Sequence, residues 1–352
     1  MTSRVIVASA DRDVVPPSRS SPSTRLMASV GGVVLVAVAW QTGPLSESPP
    51  PPREVSAVAA PFGIASLVTE ARRWGTPLAL PEGTRDVVGL ASTVVAITPD
   101  GVWPAWALYD GAWTKLRGIP RGPSIGSQVG VGRDDGFSVV GVFDDRSVIY
   151  DYRSDGGFEG ARTIRGVAAG AYATVGRGVA IFDATRPVGH FLTTTTVTEL
   201  TPPGTVVDAA SGMGSLLVLT SDGRVHGTPE TLGAEWRQLG EGFVALLAGE
   251  VVVAVGESAT VGIHRLEPGG TLARLSRAPF GPTAVSGSVV SVHDWSSDSI
   301  WLSESGGGWE RLPLWADAGF DGAFRTMVTG TDVPTVVAVD GNGRQALWRA
   351  VP

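Results

Sequence analysis

The chain has 352 residues, a formal net charge of −7 and no cysteine. The lack of cysteine excludes disulfides, thiolate nucleophiles and cysteine-ligated metals, and the acidic balance argues against a surface for nucleic acid, which needs clustered positive charge. With 43% hydrophobic residues, 47 glycines and 25 prolines, the composition favours one large packed domain with many turns and excludes wholesale disorder.

The N-terminal part of the chain differs from the rest in composition. Residues 1–25 are polar and rich in Ser, Pro and Arg, which predicts a disordered cytoplasmic tail. Residues 26–45 carry no charge and are mostly apolar, which predicts either a retained signal anchor or a signal peptide cleaved near Ala37-Val38-Ala39. Residues 46–70, with prolines at 49–52, are expected to form an extended linker to a domain at 71–352.

The domain is expected to be exported whether residues 26–45 are a retained anchor or a cleaved signal peptide. An anchor would hold it to the membrane with the domain outside the cytoplasm, whereas cleavage would release it as a secreted protein. We therefore expect an extracytoplasmic protein, in keeping with the many exported bacterial proteins that also lack cysteine.

Two landmarks recur through the remaining chain. The first is an aromatic or aliphatic residue followed by leucine three or four positions later, at Trp74, Trp113, Val197, Trp236, Leu272 and Trp309, with a weaker segment from Phe158 to Ile164 in the one gap. The second is a short β-branched run before a turn, ending at Ile97, Val142, Ile181, Leu219, Val255, Val292 and Val339. The intervals within each set lie between 36 and 47 residues, so the two landmarks keep step and indicate an internal repeat.

The repeat unit is clearest in Ser211–Leu239. It contains an apolar strand, a turn at Asp222-Gly223, a second strand and a tail that starts at Trp236. Asp-Gly supplies the positive φ that tight hairpins need, and near-continuous apolar strands are typical of sheets covered on both faces. Four short strands in about forty residues predict an all-β fold, the β-propeller.

The ends of the repeat predict how the ring closes. The first tail motif, at Trp74, has no clear strands before it, whereas the last three strands, which end near Val351, lack a fourth. We therefore predict seven four-stranded blades, with the N-terminal Trp74 strand as the outer strand of the last blade. The alternative is a six-bladed propeller, if the weak segment at Phe158 is not part of a blade.

Three short segments resemble known propeller repeats. Ser303–Leu312 resembles a degenerate Asp-box turn of sialidase-type propellers, with Ser305 where the aspartate would stand. Ala209–Gly227 is similar to repeats of the regulator-of-chromosome-condensation type, and Trp236–Gly249 resembles tectonin-type lectin repeats. Together these resemblances imply a propeller scaffold, and none of them brings catalytic or binding residues to positions of this chain.

Aspartates recur in the turns after the second strand of the units. They are Asp100, Asp144 with Asp145, Asp183, Asp222, Asp294 and Asp340. Such turns would lie on one face of the disc and could bind Ca²⁺ or a cationic partner, although aspartate in a tight turn more often binds its own backbone. The four histidines, His190, His226, His264 and His293, are expected to be ordinary strand or turn residues, so no metal or cofactor is predicted.

A sialidase-like glycoside-processing enzyme is the alternative function. Such a site needs an arginine cluster for a substrate carboxylate and a tyrosine nucleophile. The candidates are Tyr150, Tyr152 and Tyr172, with Arg146, Arg153 and Arg177 near them in sequence. No spacing singles out any of them, so no catalytic residue is predicted.

Aromatic residues in the connections between strands are more informative. They are Trp295, Trp315, Phe320 and Phe280. Loops of several blades converge on one face of a propeller, where a cluster of exposed aromatics would bind protein or sugar. The alternative for these residues is that they only pack against the blades. We therefore expect a binding scaffold for an unknown protein or carbohydrate, with function in the connections at 117–128, 183–189, 294–298 and 313–323.

Overall fold

The computed structural model describes residues 72–351, with gaps at 91–92, 99–103, 121–123, 134–135, 177, 194, 230–234, 276–277, 280, 305–307, 315–319, 321 and 341, and gives the backbone alone at 124–133. The predicted tail, anchor and linker at 1–70 lie outside the described residues. The described parts consist of strands and turns, and they contain no helix with the length and apolar character needed to cross a membrane.

Seven antiparallel sheets make up the described chain. Six of them use four consecutive strands in sequence order, and the seventh combines the two ends of the domain. The predicted seven-bladed β-propeller is therefore confirmed.

The strands of the first three blades are as follows. Blade 1 contains β3 (Asp86–Leu90), β4 (Thr93–Ile97), β5 (Ala105–Tyr109) and β6 (Ala112–Lys115). Blade 2 contains β7 (Ser124–Arg133), β8 (Gly136–Val142), β9 (Arg146–Arg153) and β10 (Phe158–Arg165). Blade 3 contains β11 (Ala169–Val175), β12 (Gly178–Asp183), β13 (Gly189–Leu192) and β14 (Val197–Leu200).

The remaining blades follow the same order. Blade 4 contains β15 (Val206–Gly212), β16 (Ser215–Thr220), β17 (Arg224–Pro229) and β18 (Arg237–Glu241). Blade 5 contains β19 (Phe243–Ala248), β20 (Val252–Gly256), β21 (Ile263–Glu267) and β22 (Thr271–Arg274). Blade 6 contains β23 (Thr283–Ser286), β24 (Val289–Asp294), β25 (Ser299–Glu304) and β26 (Trp309–Pro313). Blade 7 contains β27 (Ala323–Met327), β28 (Thr335–Val339) and β29 (Gln345–Val351), completed by β1 (Arg73–Trp74) and β2 (Leu78–Ala79).

The N-terminal strands close the ring. In β1, Trp74 pairs with Ala350, and in β2, Leu78 pairs with Leu347, both antiparallel to β29. The weak segment that starts at Phe158 is a full outer strand, because β10 pairs with β9 along its length. The closure is thus confirmed, and the six-bladed alternative is wrong.

The core is divided among the interfaces between neighbouring blades. Seven clusters of buried apolar side chains exist, and each joins two adjacent blades. In β4, for example, Val94 packs towards blade 7 whereas Val95 packs towards blade 2. Successive side chains of a strand point to opposite faces, so a strand covered on both faces is apolar at almost every position.

Tight turns use residues that tolerate positive φ. Between β5 and β6, Asp110 has φ 47° and Gly111 has φ 73°, which fits a two-residue hairpin that needs the left-handed region at both central positions. In the predicted turn after β16, Gly223 has φ 78°. The sequence therefore sets the short connections as directly as it sets the strands.

Candidate binding surface on the acidic-turn face

The turns between the second and third strands of the blades lie on one face of the ring, which we call the acidic-turn face. It carries Asp144, Asp145, Asp183, Asp222, Asp294 and Asp340, and Asp100 lies outside the described residues. The connections from one blade to the next lie on the same face, because Gly166 N donates to Asp145 O at 2.7 Å and His293 N donates to Pro282 O at 2.9 Å.

The Asp183 carboxylate is bound within its own turn. Its oxygens accept hydrogen bonds from the backbone and hydroxyl of Thr185 and from the guanidinium of Arg186, which is 2.7 Å away. Burial alone would raise the pKa of Asp183, but the hydrogen bonds from Arg186 and Thr185 outweigh it and lower the pKa to about 2. This carboxylate stabilises its turn.

Three further carboxylates of this face are also bound by their own turns. Asp222 accepts a hydrogen bond from the Thr220 hydroxyl at 2.6 Å, which is the main reason that its pKa is lowered. Asp340 accepts from two backbone amides of its turn, and Asp294 accepts from the amide and hydroxyl of Ser296. Throughout the described residues no group of three or more acidic or histidine side chains is arranged to hold a metal ion.

The aromatic residues expected in the connections differ in environment. Trp295, in the turn of blade 6, is 66% exposed. Phe280 and Trp315 lie outside the described residues. Phe320 was expected at an exposed rim, and this expectation is wrong: it is 3% exposed, and its ring lies 5.7 Å from Trp74 and 4.9 Å from Trp348. The Phe320 ring is therefore part of the core between blades 6 and 7.

Trp295 packs on a buried histidine. The ring centroid of His293 lies 4.3 Å from that of Trp295 and 3.9 Å from that of Phe324, on the inner strand of blade 7. Trp295 also meets Phe324 edge to face, with centroids 5.9 Å apart. The indole is therefore held against the boundary between blades 6 and 7 while most of its surface faces solvent.

His293 is unusual for a buried polar side chain. It is 1% exposed, and among the described residues neither ring nitrogen has a hydrogen-bond partner. The nearest recorded charge is a carboxylate oxygen of Asp298, 3.8 Å from Nε2 and so beyond hydrogen-bond distance. Burial lowers the pKa of His293, and Asp298 and Asp294 offset this only in part. The imidazole is therefore neutral at neutral pH.

The turn that presents Trp295 is braced on two sides. Within it, Asp294 accepts hydrogen bonds from the Ser296 and Ser297 hydroxyls, both at 2.7 Å. From the outer strand of the blade, Arg311 donates to the Ser297 carbonyl oxygen at 3.1 Å. Asp298 closes the turn with φ 46°, a conformation that aspartate tolerates better than most residues. These contacts fix the direction in which Trp295 leaves the blade.

Two other buried polar groups lie in the interface between blades 6 and 7. In the part of the chain that the structure describes, the Ser291 hydroxyl and the Trp348 indole nitrogen have no hydrogen-bond partner. Ser291 lies two residues before His293 on β24, so both side chains point towards blade 7, and Trp348 belongs to the apolar cluster that joins the two blades. The alternation of Ser291 and His293 within a valine-rich strand was the sequence signal that could have revealed His293.

The tyrosines considered for a sialidase-like site do not share one. Tyr150 and Tyr152 are buried between blades 1 and 2, whereas Tyr172 is buried between blades 2 and 3. The Tyr152 hydroxyl donates to the Arg117 carbonyl oxygen at 2.7 Å, and burial raises the pKa of Tyr152 and of Tyr150. Arg177 lies outside the described residues.

The arginines near these tyrosines bind aspartates of their own turns. Arg146 forms an ion pair with Asp145 at 2.9 Å, and Arg153 forms one with Asp155 at 3.0 Å. The described residues therefore do not bring a tyrosine and an arginine cluster together.

No model of a known protein family matches the sequence, and no curated protein matches it. Solved structures share its fold. Virginiamycin B lyase from Staphylococcus aureus, in a catalytically inactive form with quinupristin, is similar with a TM-score of 0.56 and 12% identity over 80% of this chain and 100% of that chain. The β-propeller domain of Cps50 (Swd1) from Myceliophteria thermophila gives 0.52 and 14%, over 78% and 100%.

A third similar structure is a chain of the mitotic checkpoint complex. It has a TM-score of 0.53 and 11% identity, over 86% of this chain and 98% of that chain. At such low identities the likeness shows the β-propeller fold and nothing finer.

Proposed function

We propose that the chain is an exported β-propeller that binds a protein partner on its acidic-turn face, with Trp295 as the anchor. The observation that carries the proposal is the 66% exposure of Trp295 on a braced turn. Tryptophan is enriched among the residues that dominate protein interfaces, and a side chain that is already held in place loses little entropy on binding.

The contacts of Trp295 favour binding over packing. Its ring touches His293 and Phe324 along the boundary of blades 6 and 7, so the indole is supported from below. Burying the exposed remainder of an aromatic ring against a partner is favourable because apolar surface leaves water.

We propose a protein partner in preference to a carbohydrate. Sugar recognition needs several polar groups free to bind hydroxyls beside the stacking ring. Of the two carboxylates in the turn of Trp295, Asp294 is occupied by hydrogen bonds from Ser296 and Ser297, which leaves a single one, Asp298, beside the ring. Binding of a glycan at Trp295 is the outcome that would replace this part of the proposal.

Catalysis is the less favoured alternative. The fold alone does not distinguish a binding module from an enzyme, because the similar propellers include a lyase and a chain of a multiprotein complex. The buried Tyr152, whose hydroxyl is bound to a backbone carbonyl, is poorly suited to act as a nucleophile. We therefore propose a binding module without a sialidase-like site.

Export is proposed from residues 26–45, an uncharged and mostly apolar segment. Whether the segment is kept as an anchor or removed is decided by fractionation and N-terminal sequencing of the product. A full-length chain in the membrane fraction supports an anchor, and a soluble chain that begins near Trp40 supports cleavage. A full-length chain in the cytosol would contradict export in either form.

Photo-crosslinking in cells that express the full chain tests the proposed surface. A photoreactive phenylalanine derivative replaces Trp295 in one variant and Tyr109 in another, since Tyr109 is 49% exposed at the end of β5, on the opposite face of the ring. The proposal expects one defined protein crosslinked from position 295 and not from position 109. Equal crosslinking from the two positions, or glycan alone at 295, would contradict it.

A further inference from the structure

We infer that the proposed binding surface recognises a cationic side chain, lysine or arginine, in a protein partner, with Trp295 and Asp298 as its two contacts and His293 as the positioning residue between them. The inference rests on the proposed function and adds the chemistry of the ligand.

The exposed indole provides the first contact. A guanidinium or ammonium group is attracted to the face of an aromatic ring, and tryptophan gives the strongest such interaction. Trp295 is held by His293 and Phe324, with ring planes inclined by 64° and 85°. Because these contacts fix the indole and leave 66% of the residue exposed, a cation can stack on it without rearrangement of the turn.

The Asp298 carboxylate provides the second contact. Its side chain is 63% exposed, and in the described parts of the chain no hydrogen bond to its carboxylate is found. It differs in this from Asp183 and Asp294, whose oxygens are occupied by groups of their own turns. Asp298 is therefore available to a charged group that arrives from outside.

His293 links the two contacts. Its ring packs on Trp295, and its Nε2 lies 3.8 Å from a carboxylate oxygen of Asp298. Both nitrogens are buried and have no hydrogen-bond partner within the described parts of the chain, which is uncommon in folded proteins and indicates a role beyond packing. A neutral imidazole does not compensate the negative charge of Asp298, so this charge is left for the ligand.

The surroundings complement a basic partner. The chain as a whole has a net charge of −7, and the turn that presents Trp295 carries the two carboxylates of Asp294 and Asp298. Such a field raises the rate at which a cationic ligand arrives. The neighbouring Arg311 donates hydrogen bonds to the Ser297 carbonyl oxygen and to the Ser299 hydroxyl, and these two bonds brace the turn.

The test measures binding of two small probes to the full chain labelled with 5-fluorotryptophan. The probes are N-acetyl-arginine methylamide and N-acetyl-citrulline methylamide, which have almost the same shape and differ in charge. Fluorine NMR resolves the 11 tryptophans, and a Trp295→Phe variant assigns the resonance of Trp295. We expect the arginine probe to shift this resonance until binding saturates. The citrulline probe should bind more weakly by a factor of about ten or more.

Asp298→Asn tests the carboxylate. Asparagine also tolerates positive φ, so the turn is kept while the charge is lost. We expect about tenfold weaker binding of the arginine probe. Asp110→Asn removes an exposed carboxylate at a similar φ of 47° on the opposite face of the ring, and it should leave binding unchanged. The other fluorine resonances report whether each variant is folded.

His293→Gln tests the positioning role through pH. Of the described groups that act on His293, the charged ones are Asp294 and Asp298. Protonation of His293 would place a competing cation beside Asp298, so binding of the arginine probe should weaken as pH falls from 7.5 to 5. The variant loses the ring that supports Trp295, so it should bind the arginine probe more weakly at pH 7.5 and should also lose this pH dependence.

Three results would overturn the inference. They are equal binding of the arginine and citrulline probes, unchanged binding of the arginine probe to the Asp298→Asn variant, and a Trp295 resonance that neither probe shifts. If any of these occurs while position 295 still crosslinks to one protein, the proposed function stands and only the cationic ligand is wrong.

Discussion

The indole nitrogen of Trp74 donates a hydrogen bond to the carbonyl oxygen of Pro313, 239 positions later in the chain, at 2.9 Å. Trp74 belongs to the outer strand of blade 7, and Pro313 ends the outer strand of blade 6. The N-terminal strand is thus joined to two blades at once, by its ladder with β29 and by this bond. The arrangement makes Trp74 a central residue of the closure.

Replacement of Trp74 by alanine should destabilise the fold strongly. The side chain is 3% exposed and packs against Phe320, and truncation of a buried tryptophan costs about 3–5 kcal/mol. Chemical denaturation measures the loss. Trp295→Ala, at an exposed site, should change the free energy of unfolding by no more than about 0.5 kcal/mol. An equal loss in the free energy of unfolding in the two variants would contradict the proposed contribution of Trp74 to the closure of the ring.

Deletions at the N-terminus should separate the closing strands from what precedes them. Removal of residues 1–53 should leave the melting temperature of the domain unchanged. Removal of residues 70–82 takes away β1 and β2, exposes the edge of β29, and should unfold the domain or lower its melting temperature sharply. A domain that melts at the same temperature after both deletions would show that these strands do not close the ring.

A buried ion pair in blade 2 gives a second stability test. Asp151 accepts two hydrogen bonds from Arg162, both at 2.9 Å, and one from the Ser138 hydroxyl at 2.7 Å. Asp151→Ala would leave a mostly buried guanidinium unpaired and should cost about 3–5 kcal/mol.

The matched control for that variant is Asp155→Ala. Asp155 pairs with Arg153 at the surface, where solvent screens the two charges, so the loss of this pair should cost much less than the loss of the Asp151 pair. If both changes cost the same free energy of unfolding, the Asp151 pair is not the stabilising contact that its burial indicates.

His293 should make the fold less stable in mild acid. Burial holds the pKa of His293 below its ordinary value of 6.5 in the folded state, so the unfolded chain binds the proton more readily. The free energy of unfolding should therefore fall as pH decreases from 7 to 5. His226, whose pKa burial also lowers, should contribute in the same direction.

Denaturation curves of His293→Gln and His226→Gln across this pH range separate the two histidines. Each variant should flatten part of the pH dependence. The window lies above the range in which Asp183 titrates, since the pKa of that carboxyl is about 2. A pH dependence that is unchanged in both variants would assign it to other groups.

Much of the fold was predictable from sequence. In a closed ring every blade packs in the same way against one blade on each side. The same positions are therefore buried in each repeat, and the pattern recurs. Val94 and Val95 face opposite interfaces, which is why a run of apolar residues marks the second strand. The unmatched strands at the two ends, near Trp74 and Val351, predicted the closure because an incomplete sheet has an open edge.

The environment of single residues was less predictable. Phe320 lies between β26 and β27 in the sequence, and only the structure shows that its ring is buried in the core beside Trp348. His293 was expected to be an ordinary strand residue. Its ring contacts Trp295 of blade 6 and Phe324 of blade 7, and the sequence does not show that these two residues lie close together. Repeats report what the blades share, and the proposed surface consists of what one pair of blades does not share with the others.

The most direct test of the account is the affinity of the crosslinked partner, once purified, for the full chain and its variants. The account predicts that Trp295→Ala weakens binding on the order of 30-fold or more, as expected of an interface anchor, and that Tyr109→Ala on the opposite face leaves the dissociation constant unchanged. Binding that survives Trp295→Ala but is lost in Tyr109→Ala would move the binding surface to the other face and contradict the central claim.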